Sequence, residues 1–273
     1  MQLLARFDVG MADSAIAYDI SLPLPETPQG LLVVVHGHGR STRLAEAFAK
    51  RAAREGLVLL APIFGVEEYK DFQILRGQAG PLAAAEALNA ACEDATRTFG
   101  LVPAPFALVG FSAGAQFAHR YAMCFPGRVA ALVAASAGWY TMPEPELGFP
   151  YGCAESEDLP TGIERLDAFL SIPALVMVGE KDTARDALLR RSRAIDRAQG
   201  RNRLERAGAW VQAISRYAAS RGVTPRLSLE VLPECGHSTR EAIRQGGLVR
   251  RSISFLAGLR AAEAERVEVD HHA

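Results

Sequence analysis

The segment "GFSAG", residues 110 to 114, sets one serine between two glycines, each two positions away. The apolar run Phe106, Ala107, Leu108, Val109 precedes it, and Ala113, Phe117, Tyr121 and Cys124 follow at helical spacing. Ser112 therefore falls where a strand turns sharply into a helix. Gly110 and Gly114 lack the Cβ atoms that would collide in such a turn, so the backbone can hold Ser112 strained with its Oγ raised above the sheet. The chemistry open to that hydroxyl is nucleophilic attack, and it requires a general base.

Of the six histidines, His237 is best placed to be that base, because it lies in "PECGHST", after the strand-like "LSLEVLP" and before the last helix, at a strand's C-terminal edge. His119, seven residues beyond Ser112 on the same helix, is two turns away and reads as a surface or packed histidine. A carboxylate must fix the imidazole tautomer. "VGEKDTA" offers Asp182, with Glu180 as local rival and Asp186 as a weaker one; the lesser alternative for Asp182 is a role as N-cap of the helix that follows. The developing oxyanion calls for two N–H donors. Ala113, next to the serine, supplies one, and "HGHGR", residues 36 to 40, supplies the other. His38 is favoured there, with Gly37 and Gly39 shaping the turn, and His36 is expected to hydrogen-bond within the loop.

These residues need a scaffold that brings strand ends together. Strand-like runs ("SAIAYDISL", "LLVVVHG", "LVLLAP", "PFALVG", "VAALVAAS", "PALVMVGE", "LSLEVLP") alternate with helix-like ones, the last helix starting near residue 239. The pattern predicts an α/β fold, a mostly parallel central sheet with helices on both faces, as one domain over residues 1–273. Two segments interrupt it, near 62–81 and 138–162, each after a strand's C-terminal end, where open sheets bind ligands. They are expected to wall the pocket. Trp139 and Tyr140 in the second are candidates to line it, or to pin the loop to the body.

At 273 residues and 49% hydrophobic content the chain can bury a substantial core. A net charge of −1 argues against a nucleic-acid or polybasic membrane partner. Arg185, Arg190, Arg191, Arg193, Arg197, Arg201, Arg203 and Arg206, set among acids, read as a solvated helical face. Cys92, Cys124, Cys153 and Cys235 match no metal-ligand spacing, so reduced thiols are expected and no metal is implied. The N-terminal segment has no signal-like pattern, and the expectation is a cytoplasmic protein without a membrane partner. His271 and His272 read as inert tail residues.

From "VVVHGHG" through "GFSAG" and "VGEKD" to "GHS", the chain resembles the α/β-hydrolase superfamily, in the nucleophile, acid, base order Ser112, Asp182, His237. "AGWYTMP", "GFPYG" and "AQGRNRLERAGAW" are similar to bacterial hydrolases described as esterase or polyhydroxybutyrate-depolymerase-like. That resemblance implies a serine esterase acting on a small-molecule ester without a cofactor. Secreted polymer-degrading relatives carry a signal peptide and often a binding module; neither is visible here, which favours small esters over polymers. Thioesterase, peptidase and carbon–carbon bond hydrolase chemistry use the same triad. A non-catalytic small-molecule-binding protein on this fold is the other alternative. "GHGRST" lacks the third glycine of a dinucleotide fingerprint, since Thr42 stands there. The oligomeric state has no signature in the sequence.

Overall fold

Eight strands form one sheet among the described residues, 4–11, 15–23 and 28–270, of the computed structural model. They are β1 (Ala5–Gly10), β2 (Ala15–Ser21), β3 (Gly30–Val35), β4 (Leu57–Ile63), β5 (Phe106–Phe111), β6 (Val129–Ala135), β7 (Ala174–Gly179) and β8 (Leu227–Leu232). The order across the sheet is β1-β2-β4-β3-β5-β6-β7-β8. β1 and β2 join antiparallel, and every pairing from β4 to β8 is parallel. The central strands are almost wholly apolar because both faces are covered.

Helices α1 (Arg43–Arg54), α2 (Ala83–Thr98), α3 (Ala113–Cys124), α4 (Ile163–Phe169), α5 (Arg193–Gln199), α6 (Arg203–Ser220), α7 (Thr239–Arg244) and α8 (Leu248–Asp270) complete the fold. α2, α3 and α6 cover one face of the sheet, and α1 and α8 the other. Leu44, Phe48 and Ala52 of α1 share the buried stripe that their spacing predicts. The chain moves outward from β3 to β4, then returns to start β5 on the other side of β3. Ligands bind open α/β sheets at this reversal, and the register sets Val35 beside Gly110 there.

Three features depart from the reading of the sequence. β1 adds an antiparallel edge strand with a half-exposed pattern. The C-terminal helix is two helices, broken at Gly246 and Gly247, where Gly247 has φ +65°. The arginine-rich stretch is not all solvated, since Arg203 and Arg206 are 1% and 0% exposed. His271 and His272 lie outside the described residues. No described helix is long and apolar enough to cross a membrane. The four cysteines are buried and unpaired.

Candidate active site

Ser112 occupies the turn between β5 and α3 with φ +56° and ψ −113°, a conformation costly for any residue with a Cβ. The flanking glycines account for its survival. A Cβ on Gly110 would stand 2.2 Å from the Gly114 carbonyl oxygen, and one on Gly114 would stand 2.3 Å from that of Val35. The Ser112 N–H donates to Ala135 O at 2.8 Å, tying the turn to the end of β6.

Ser112 Oγ lies 2.9 Å from His237 Nε2, and His237 Nδ1 lies 2.9 Å from Asp182 Oδ2. With its proton on Nδ1 donated to Asp182, the imidazole leaves Nε2 free to accept the serine hydroxyl. The ring stacks on Phe111 with centroids 5.5 Å apart. The loops that carry acid and base are joined directly. Lys181 N–H donates to Cys235 O at 2.8 Å, and a Cβ on Gly179 would collide with that carbonyl at 2.3 Å. The rival Glu180 turns away, accepting the Glu234 N–H at 3.0 Å.

Arg203 is the cation that meets the fully enclosed Asp182. It donates to Asp186 Oδ2 at 2.7 Å and reaches Asp182 Oδ1 at 3.4 Å, a buried cation shared by two acids. Its hydrogen bonds, with the Leu188 N–H, hold the Asp186 carboxyl down at about 2. Arg206 similarly bonds Asp196 and the Gly138 carbonyl. Here the sequence misleads, because Asp182 and Asp186 on the loop after β7 and Asp196 on α5 pack back onto α6 and draw its arginines inward.

His36 and His119 have packing roles. His36 Nδ1 lies 2.9 Å from Gly37 O and its Nε2 accepts the Phe64 N–H at 3.1 Å; burial lowers its pKa to about 4, so it bridges two strand ends as a neutral ring. His119 accepts the Thr141 N–H at 3.0 Å and is driven well below its ordinary pKa by burial.

Among the described residues neither the Ala113 N–H nor the His38 N–H has an acceptor, and the Gly37 backbone runs against the Ser112 turn. An Arg40 Nη1 bond to the His38 carbonyl at 2.9 Å and an Arg40 N–H bond to Gly37 O at 3.0 Å fix the turn. A cleft of about 710 Å³ opens beside Ser112 and His237, walled by residues 37–41, the first half of α1, Leu188, residues 238–240, Ile243 and Arg244.

That lining corrects the expected one. Tyr140 is fully buried, stacked on Trp210 at 4.9 Å, and Trp139 is sandwiched with Arg120, whose guanidinium sits 4.2 Å from its ring centre. Neither touches the cleft, nor do segments 62–81 and 138–162. Their large aromatics, Phe64, Tyr69, Phe72, Trp139 and Tyr140, turn inward because burying such side chains is worth more than lining an open groove. No described cluster of His, Cys, Asp or Glu could hold a metal ion.

The fold is shared with solved hydrolases. Poly(aspartic acid) hydrolase-1 from Sphingomonas sp. KT-1 superimposes with a TM-score of 0.77 at 25% identity, covering 92% of this chain and 97% of its own. The chain is a hydrolase of the α/β-hydrolase fold. LpqC, a poly(3-hydroxybutyrate) depolymerase from Bordetella parapertussis, gives 0.72 at 25% identity over 92% of this chain and 94% of that one. A ferulic acid esterase at 16% identity shares the fold with a TM-score of 0.62, covering 93% and 97%. No family model and no curated protein matches the sequence.

Proposed function

We propose that the chain is a serine hydrolase of carboxylic esters, acting through Ser112, His237 and Asp182. The observation that carries this reading is the unbroken line of two 2.9 Å contacts from Ser112 Oγ through His237 to Asp182 Oδ2. Ser112 Oγ attacks the ester carbonyl while His237 Nε2 takes its proton. Asp182 steadies the imidazolium through Nδ1–H. The N–H groups of Ala113 and His38 hold the tetrahedral oxyanion, a contribution on the order of 10²- to 10³-fold in turnover for each donor. Protonated His237 then gives its proton to the leaving alcohol, and water repeats the sequence to release the acid from the acyl-enzyme.

The same residues need no metal or organic cofactor for these steps. The proposed setting is the cytoplasm, in keeping with four unpaired cysteines. Labelling by a fluorophosphonate, followed by a panel of aryl esters, thioesters and peptides, tests the reading. Ser112→Ala should abolish both labelling and ester turnover in a protein that still folds. Undiminished labelling of that variant would remove Ser112 from the mechanism, and a folded chain inert to every probe would favour a binding protein.

A further inference from the structure

The cleft beside Ser112 carries a charge that the chain as a whole does not. Arg40, Arg43, Arg240 and Arg244 line it, opposed by Glu46 alone among its acidic residues, in a protein whose net charge is −1. Among the described residues none of the four arginines has a carboxylate partner. Other arginines here pair readily, as Arg185, Arg203, Arg206 and Arg221 show.

One placement runs against local stability. Arg43 is the first residue of the twelve-residue α1, where the helix dipole disfavours a cation and favours an anion. Arg40 is fixed rather than mobile. Its backbone is held at φ +51°, and its guanidinium is tied to three carbonyls, Phe64 O at 2.7 Å, His38 O at 2.9 Å and Tyr69 O at 3.2 Å. Those bonds use all three of its nitrogens, and the guanidinium lies over the Phe72 ring, 5.4 Å from its centre, so Arg40 adds charge to the rim but leaves the grip on a ligand to Arg43, Arg240 and Arg244. The cleft thus keeps several positive charges without a carboxylate partner around the proposed nucleophile.

We propose that this cleft selects substrates bearing a carboxylate near the scissile ester, met by Arg43, Arg240 and Arg244. The proposal rests on the reading of Ser112 as nucleophile only for the hydrolytic step; recognition of the anion does not depend on it. Guanidinium groups suit this role because their planar donors match a carboxylate in two parallel bonds.

Two matched pairs of esters test it. The mono-4-nitrophenyl ester of adipic acid against its methyl-capped counterpart puts the charge on the acid side. The acetate ester of 4-hydroxybenzoate against that of 4-hydroxybenzamide puts it on the alcohol side. In at least one pair kcat/KM for the charged member should exceed that of the neutral one by about tenfold at low salt, and the ratio should contract as ionic strength rises to about 0.3 M. Arg43→Gln/Arg240→Gln/Arg244→Gln should reduce the same ratio by about tenfold. Ratios at or below one in both pairs, or a ratio that neither salt nor the substitutions move, would overturn the proposal; the salt series in the unsubstituted protein keeps it testable if the triple variant does not fold. If no ester is turned over at all, the nucleophile reading fails separately. Calorimetric titration with adipate then decides: salt-sensitive binding that weakens in the triple variant supports the cleft's selectivity, and no binding refutes it.

Discussion

Arg203 Nη1 stands 3.4 Å from Asp182 Oδ1, and both side chains are closed to solvent. The other oxygen of Asp182 meets His237, so the carboxylate is held between a fixed cation and the imidazole it would orient. Burying a carboxylate is costly unless a cation and hydrogen bonds meet it. Arg203 is in this sense a positioning residue, delivered by α6 from more than twenty positions along the chain.

Arg203→Met should therefore lower stability by about 3 kcal/mol, because it strands the buried Asp182 and half-buried Asp186 without their cation. Urea unfolding measures this. Arg203→Lys keeps the charge and should recover part of the loss. A stability change within about 0.5 kcal/mol for Arg203→Met would show the network to be incidental.

Asp186 sets a pH limb of that stability. Its folded pKa is depressed to about 2, chiefly by hydrogen bonds from Arg203, so its contribution is present above the ordinary carboxylate range and is lost as pH falls through about 4 toward 2. The side chain is 35% exposed, so solvent screens much of the effect. Asp186→Asn should flatten this acid limb and lower the neutral plateau by the same screened amount, because the amide stands in for the protonated acid. An unaltered acid limb would place the titration elsewhere.

The sequence made the site legible because each residue of the line Ser112, His237, Asp182 follows a strong apolar run, and alternation of strands and helices forces those strand ends to one edge. Its limits are equally physical. Charge spacing along 185–206 reads as a wet face, since nothing local reveals that Asp182, Asp186 and Asp196 will return to Arg203 and Arg206. An aromatic-rich loop such as 138–151 has the same composition whether its rings face a pocket or the core. The break between α7 and α8 was written in Gly246 and Gly247, but glycines inside a helical run mark a boundary only when a close neighbour demands it, here Leu232 and Cys235 at 3.0 Å from any Cβ added to Gly246.

Trp139 and Tyr140 now predict packing effects. Trp139→Ala should cost about 3 kcal/mol by leaving a void between Arg120, Arg190 and Tyr151, without changing the preference among esters. A variant of normal stability with altered acyl preference would return Trp139 to the pocket wall.

The glycines of the elbow give a graded comparison. An alanine Cβ at Gly114 would press to 2.3 Å on Val35 O, backbone that cannot yield, whereas at Gly37 its nearest neighbours are Phe111 O at 3.6 Å and Ser112 Cβ at 3.8 Å. Gly114→Ala should lose about 3 kcal/mol or fail to fold, and Gly37→Ala should stay within about 1 kcal/mol. Thermal unfolding of the two, run side by side, would contradict the close approach of β3 to α3 if they were equally stable.

The last contrast separates the two neighbouring acids. Glu180 already spends an oxygen on the Glu234 N–H and faces away from His237, while Asp182 Oδ2 stands 2.9 Å from the imidazole. Replacing Asp182 by Asn keeps the shape but presents no charge, and an amide turned with its NH₂ toward the ring stabilises the wrong tautomer, leaving the Nε2 proton where the serine proton should arrive. Turnover of Asp182→Asn should fall by about 10⁴-fold, with fluorophosphonate labelling slowed in step. Glu180→Gln retains an acceptor for the Glu234 N–H and should cost less than about threefold. If Asp182 served only to end a loop, the amide would serve nearly as well. Near-normal turnover for Asp182→Asn, with collapse for Glu180→Gln, would reassign the acid to Glu180 and require the loop after β7 to move.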